Sequence, residues 1–234
     1  MSRILIGVLL MLAAAWSAQA QPQTQPQTQT PALEARQLAP GAWYVEGLSA
    51  LGSPANQNFI SNAGFVVTPA GVVVIDALGS PALAQRLLAE IRRHTAQPVT
   101  HVIVTHYHAD HIYGLQAFKE HGGSPRVLAQ RATLGYAGGT ADSQGEDAAR
   151  RLAQRRQALF PWVDEKTYIV APDEVFDEGC RFELGGVEFE IRHLGPAHAP
   201  GDSIMLVKPY GVLFGGDVLY GGRVPFLDSP ETDV

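Results

Sequence analysis

Cysteine is almost absent from this chain. Cys180 is the single one in 234 residues, so no internal disulfide can form. It alternates with Phe182 and Leu184, the pattern of a small core residue rather than a nucleophile. Basic residues are scarce relative to acids, 17 against 23, and the net charge of −6 disfavours a nucleic-acid partner. The stretch Ile4 to Trp16 is continuously apolar but too short to span a bilayer comfortably. No cysteine follows that stretch, which disfavours a lipoprotein anchor, and no arginine pair precedes it, which favours general over twin-arginine export. No histidine follows His198.

What the N-terminus does contain reads as a secretory signal. Arg3 is a short basic region, Ile4 to Trp16 is the apolar core, and Ser17-Ala18-Gln19-Ala20 offers small residues for cleavage after Ala20. Residues 1–20 are therefore expected to be removed on transfer across an inner membrane. The product would be periplasmic, without a stable membrane anchor. Residues 21–32, mostly QPQTQPQTQTP, have almost nothing to bury and read as a disordered linker. Residues 33–234 are long enough for one large core.

Within that domain, strands and helices alternate. Strands are expected at Trp43 to Val45, Phe59 to Val67, Val72 to Ile75, Val99 to Val104 and Val127 to Ala129. The loop Gly47 to Asn58 lies between the first two. Ser80-Pro81 opens a helix that buries Leu83, Leu87, Leu88 and Ile91, and a second helix runs from Ile112 to His121 with Leu115 and Phe118 inward. A third, over 140–157, has a thin stripe of Ala148, Leu152 and Leu159. Its Arg150, Arg151, Arg155 and Arg156 read as a solvated face, with anion binding as the alternative. The second half returns to strands: a hairpin of Cys180 to Leu184 and Val187 to Ile191 about Gly185-Gly186, then Ser203 to Val207 and Gly211 to Phe214.

The chemistry gathers where apolar strands stop. Val102-Ile103-Val104-Thr105 empties into His106-Tyr107-His108-Ala109-Asp110-His111, four candidate metal ligands within six positions. Asp76, His198 and Asp217 end or follow other apolar strands, so ligands are expected along one rim of a sheet core. Imidazole nitrogen mixed with hard carboxylate oxygen suits zinc best, with iron or manganese as alternatives. His101 lies on its strand, held back from that loop.

His106 to His111 resembles the HxHxDH signature of the metallo-β-lactamase superfamily. Asp76 after its strand, His198 in a GPxHxPGD loop and Asp217 in GGD resemble the other blocks of that family, in order. The resemblance runs from about Trp43 to the end. It implies an α/β fold, the αβ/βα four-layer sandwich, with the second half incomplete because the family's last strand and helices have no counterpart here. It also implies a metal held by His106, His108 and His198, a second held by Asp110 and His111, and Asp217 bridging them. In that scheme Asp110 also orients or shuttles a proton, and Asp76 accepts a hydrogen bond from a ligand histidine. The family's last ligand, a later histidine, is missing. A sheet face left uncovered by absent helices would be apolar and would invite a partner.

The resulting expectation is an exported zinc-dependent hydrolase with one or two ions. A metal-bridging hydroxide would act on a small-molecule ester, thioester or amide, β-lactams included. Asp217, where the best-known zinc β-lactamases carry cysteine, points towards thioesterase-like members. The alternatives are a mononuclear iron persulfide dioxygenase-like enzyme and an inactive truncated metal-binding remnant.

Overall fold

The computed structural model describes residues 32–137 and 143–222. The expected signal peptide, nearly all of the linker and the last twelve residues lie outside the described residues. No described helix is long and apolar enough to cross a membrane.

Two sheets carry the fold. The larger has strands in the order β1 (Ala35–Ala39), β2 (Ala42–Val45), β3 (Ala63–Thr68), β4 (Gly71–Ile75), β5 (Val99–Ile103), β6 (Arg126–Gln130) and β7 (Glu174–Phe176). It is antiparallel up to β4 and parallel from β4 to β7. The smaller sheet runs β11 (Val212–Phe214), β10 (Ser203–Lys208), β9 (Val187–His193), β8 (Gly179–Leu184), all antiparallel. The helices are α1 (Pro81–His94), α2 (Ala109–Ile112), α3 (Leu115–His121), α4 (Arg131–Tyr136) and α5 (Ser143–Leu159).

Strand β4 shows why its sequence is an unbroken apolar run. Val72 and Val74 face a core shared with Leu83, Leu87 and Phe118 of α1 and α3, while Val73 and Ile75 face a second core shared with Phe189, Ile191 and Met205 of the small sheet. A strand covered on both sides has no polar face to alternate with. Helix, sheet, sheet is thus the layering on the described side of the sandwich. The stripe of α5 joins the helix-side core through Leu152 and Leu159. Cys180 is half-buried against the core between the sheets, where burial pushes its thiol pKa up.

Several boundaries differ from expectation. β1 has no strand-like pattern and forms by pairing with the exposed edge of β2. The strand expected from Phe59 begins only at Ala63, because Gln57 and Asn58 turn through left-handed conformations and Leu48 N–H donates to the Phe59 carbonyl. The helix expected over 112–121 divides at Gly114, whose N–H donates to Leu78 and whose α-carbon presses on the Ala77 carbonyl too closely for a side chain. α4 and β7 are short pieces with no sequence signature of their own. The outward face of the small sheet is not the apolar surface expected. Arg181, Arg192 and Lys208 pair there with Glu188 and Glu190, and the apolar side chains are confined to Ile204, Leu206 and Leu213 near its edge.

Glu90 anchors β1 to α1. Its buried carboxylate accepts from Ala35 N–H at 3.1 Å and from Arg93 at 3.0 Å, with His94 at 3.2 Å. Burial opposes the charge, but these partners outweigh it and depress the pKa. A carboxylate depressed in the folded state stabilises above its unfolded pKa, about 4.3, and that stabilisation is lost as pH falls through the folded value. Glu90→Gln is expected to cost about 1–2 kcal/mol at neutral pH. In urea titrations at stepped pH, the gap from wild type should close towards acid; a gap independent of pH contradicts this account.

Candidate metal centre

The site is built at the C-terminal ends of β4 and β5. Asp76 ends β4 in a left-handed conformation (φ 58°), which aspartate tolerates better than most residues. Its Oδ1 accepts from Thr105 N–H at 2.8 Å and its Oδ2 from the Thr105 hydroxyl at 2.8 Å. Oδ2 also lies 2.8 Å from Nδ1 of His111. One buried carboxylate thus fixes the strand end that delivers His106 and the ring of His111. His108 sits at the N-terminus of α2, and one turn of that helix carries Asp110 and His111 back towards it. Ser61 holds the Asp110 carbonyl at 2.5 Å.

The other two residues come from the small sheet. His198 lies in the loop between β9 and β10, where the Asp202 carboxylate accepts from His198 N–H at 2.5 Å and Ala199 N–H at 2.8 Å. Ser203 N–H donates to the Thr105 carbonyl at 3.0 Å, stitching this loop to the first. Asp217 follows β11 on a single 3₁₀ turn (Gly216–Val218). Gly216 has φ 52°, and a β-carbon there would run into the Thr105 side chain, so the close approach that delivers Asp217 requires glycine.

The six candidate ligands converge, but not as one ring. His106, His108 and His198 form one group and His106, His111 and Asp217 another, each with donor atoms within 4.8 Å of one another. His108 Nδ1 lies 3.1 Å from His106 Nε2 and 2.8 Å from His198 Nε2. These separations are near the ~3.3 Å spacing of ligands in a tetrahedron with bonds of about 2.0 Å. Asp217 lies between the groups, Oδ1 3.3 Å from His111 Nε2 and Oδ2 3.6 Å from His198 Nε2. Asp110 stands beside them rather than within either, its Oδ2 3.6 Å from His111 Nε2. His101 stays between the sheets, stacked on Phe182.

The donor chemistry fits a cation. With Nδ1 of His111 donating to Asp76, its Nε2 presents a lone pair, and this buried atom has no hydrogen-bond partner although two carboxylates face it. A lone pair aimed at anions is unfavourable unless positive charge lies between them. Burial, then the neighbouring rings, lowers the pKa of His106 well below the ordinary range, and burial with His198 brings His108 to about 3, so both are neutral donors. Burial disfavours charge on His111 too, but Asp76, Asp217 and Asp110 outweigh it and raise its pKa well above the usual range: the place facing those carboxylates draws a positive charge, which a proton on Nε2 supplies unless a metal takes its place. Burial raises the Asp110 pKa, while Asp217 is held low against burial by His111, His106 and the Tyr220 hydroxyl. Tyr220 donates to Asp217 Oδ2 at 2.8 Å.

Sequence reasoning missed Asp202, Ser61 and Tyr220 as supports. Asp202 had a signal, since it closes the GPxHxPGD segment; the other two meet the site only through tertiary contact.

A sequence model described as the metallo-beta-lactamase superfamily matches residues 57–233. A linear primary-alkylsulfatase of Pseudomonas sp. is 26% identical over 183 residues, 68% of this chain and 34% of that protein. A hydroxyacylglutathione hydrolase of Haemophilus influenzae is 30% identical over 134 residues, 56% of this chain and 55% of that protein. The chain therefore spans about a third and about half the length of these curated relatives. Among solved structures, a metallo-beta-lactamase from Pontibacter korlensis gives a TM-score of 0.62 at 20% identity, covering 86% of this chain and 80% of that one. One from Cronobacter sakazakii gives 0.54 at 23%, covering 77% and 62%. These likenesses show the fold.

Replacing Asp76 tests the arrangement. Asp76→Asn keeps the shape but offers one acceptor where three donors converge. Affinity for divalent metal, read by competition with a chromophoric chelator, should fall about 10–100-fold. Wild-type affinity in folded Asp76→Asn protein would contradict the role given to this carboxylate.

Proposed function

Because this chain belongs to the metallo-beta-lactamase superfamily, a family of metal-dependent hydrolases, we propose that it is an exported zinc hydrolase acting on small esters, thioesters or amides. The observation that carries the reading is that two ligand groups share His106, and that one of them includes the buried, unpartnered Nε2 of His111 at the wall of a cavity of about 350 Å³. Zinc bound there would polarise the scissile carbonyl and lower the pKa of water from 15.7 towards about 7. His106, His108 and His198 would hold one ion, and His111 with Asp217 and Asp110 would hold the second.

The protein's own groups do the rest. The clamp of Asp76 and Thr105 keeps His106 and His111 from rotating away, so little reorganisation is needed when substrate arrives. Asp110 is partly exposed, and burial raises its pKa. Its Oδ2 is therefore suited to accept the proton released by attacking water and to return it to the leaving group. The cavity walls include Leu48, Ile60, Phe214 and Leu219 beside His111 and Asp217, a surface suited to an acyl or alkyl group. The primary-alkylsulfatase relative adds alkyl sulfates to the esters worth assaying, and the hydroxyacylglutathione hydrolase adds thioesters.

One observation favours a second reading. His106, His111 and Asp217 are two imidazoles and one carboxylate, the set that binds mononuclear iron in many oxygen-dependent enzymes. A persulfide dioxygenase-like activity would then require iron and consume oxygen, which metal analysis with an oxygen electrode separates from zinc-dependent hydrolysis.

Turnover of 4-nitrophenyl esters, thioesters, alkyl sulfates and nitrocefin is to be compared before and after chelation. At least one should be hydrolysed, silenced by chelator, restored by zinc, and reduced about 100-fold or more in His108→Ala. No turnover at any zinc concentration sinks the hydrolase. Export is tested by N-terminal sequencing of protein from periplasmic extracts, expected to begin at Gln21; full-length cytoplasmic protein alone would count against it.

A further inference from the structure

On the face of the large sheet that meets the small one, side chains lie in rows across β2, β3 and β4. Ala42, Val66 and Val73 form one row, and Tyr44, Gly64 and Ile75 form the next. All three residues of the first row are buried in the core between the sheets, whereas the middle position of the second has no side chain. There the core stops and a cavity starts: Tyr44, Gly64 and Ile75 line the space whose other walls hold His111 and Asp217. The ring of Phe214, from β11, lies so close over Gly64 that a β-carbon at that position would run into it. Phe214 packs on the core and also lines the cavity, so this one ring divides the two.

The rim is apolar where it meets water. Leu38, Leu48, Leu213 and Leu219, between 42% and 60% exposed, all line this cavity, and they are four of the eight large apolar side chains exposed among the described residues. A single exposed leucine needs no explanation, but a cluster around one opening does. Polar groups in the walls are engaged within the protein. Asn62 Oδ1 accepts from Gly47 N–H at 2.9 Å, the Ser61 hydroxyl donates to the Asp110 carbonyl, and the Glu46 carboxylate pairs with Arg36. No lysine or arginine is among the described lining residues, so a charged tail finds no partner there. On the His108 side protein groups stand instead: Tyr107 meets His108 edge-on at 4.7 Å and stacks on Tyr136 at 4.3 Å, and the Arg151 guanidinium of α5 lies 5.1 Å from the Tyr107 ring.

We propose that the cavity is the subsite for an uncharged alkyl or acyl chain of the substrate, running from the metal centre past the Gly64–Phe214 contact to the leucine rim, and that this contact sets how much of the chain is held. The occupant follows from continuity. A chain attached to a group reacting beside His111 and Asp217 has this apolar space next to it, and each methylene moved there from water adds a similar increment of binding. Glycine at position 64 is what keeps the space open, because any side chain there would drive the Phe214 ring into the room the chain needs. Sequence patterning gives no hint of this, since Gly64 and Phe214 lie on strands of different sheets.

That the chain belongs to a substrate rests on the hydrolase reading; the apolar binding does not. The full zinc-loaded chain is titrated calorimetrically with butyrate, hexanoate and octanoate, whose shared carboxylate keeps the polar contact constant. Wild-type affinity should rise about threefold for each added methylene. The rise should be lost in Gly64→Ala, and octanoate affinity should fall about threefold in Leu48→Ser, where an exposed side chain is changed and the fold is spared. Phe160→Ser, also exposed but outside the cavity, should match wild type. Equal wild-type affinities across the series overturn the proposal, and are the result expected if residues 223–234 or a second copy of the chain took the cavity instead. A folded Gly64→Ala protein with the wild-type rise, wild-type octanoate affinity in Leu48→Ser, or an equal loss in Phe160→Ser each overturns it too. Turnover of 4-nitrophenyl butyrate and octanoate is followed in parallel. Chain-length-dependent binding without turnover of either ester leaves the subsite standing and removes the hydrolase; turnover with flat binding does the reverse.

Discussion

Everything at the centre depends on one buried carboxylate. Asp76 accepts from the Thr105 backbone, the Thr105 hydroxyl and the His111 ring, so a single side chain joins the ends of two parallel strands to the helix turn that follows. An anion this deeply buried is tolerated only when its lone pairs are satisfied, and here protein donors satisfy them. The same bonds set the direction in which His111 presents its other nitrogen. Rigidity and chemistry therefore have the same cause, since the group that stabilises the strand ends also decides which ring atom is free to bind.

The second requirement is that two sheets meet at that point. The larger sheet supplies His106, His108, Asp110 and His111; the smaller supplies His198 and Asp217. The contact between them is held apolar side by apolar side through Ile75, Ile103, Phe189, Ile191 and Met205. At the rim this packing gives way to backbone bonds, Ser203 to Thr105, and to the glycine turn that lets Asp217 approach. Sandwich packing thus brings donors from distant parts of the chain into register, and the local turns make the last few ångströms of adjustment. The apolar cavity opens on the His111 side and helix α5 stands on the His108 side, so the centre has two chemically different flanks.

Much of this was legible beforehand. Continuous valines at 72–74, the Ser80-Pro81 helix start and the Gly185-Gly186 hairpin follow from local physics: burial on both faces, capping, and glycine in tight turns. The weak places were weak for equally local reasons. β1 is ARQLA, without a strand pattern, and exists because β2 offers it an edge. The break at Gly114 reflects the carbonyl of Ala77, 37 positions away in the sequence, rather than any feature of its neighbours. The outer face of the small sheet turned out charged because Glu190 collects Arg181, Arg192 and Lys208 across three strands, an arrangement that depends on register.

Residue types and their spacing, together with the family resemblance, were enough to pick out candidate donors, because imidazole and carboxylate at strand ends have few other uses in such density. They could not say how the donors divide. That His106 belongs to both groups, that Asp217 lies between them, and that Asp110 stands beside rather than inside depend on ring orientations set by Asp76, Asp202 and Gly216. Those orientations come from hydrogen bonds between residues up to 35 positions apart, as with His111 and Asp76. Composition and spacing specify which atoms are available; only packing of the two sheets specifies where each lone pair points.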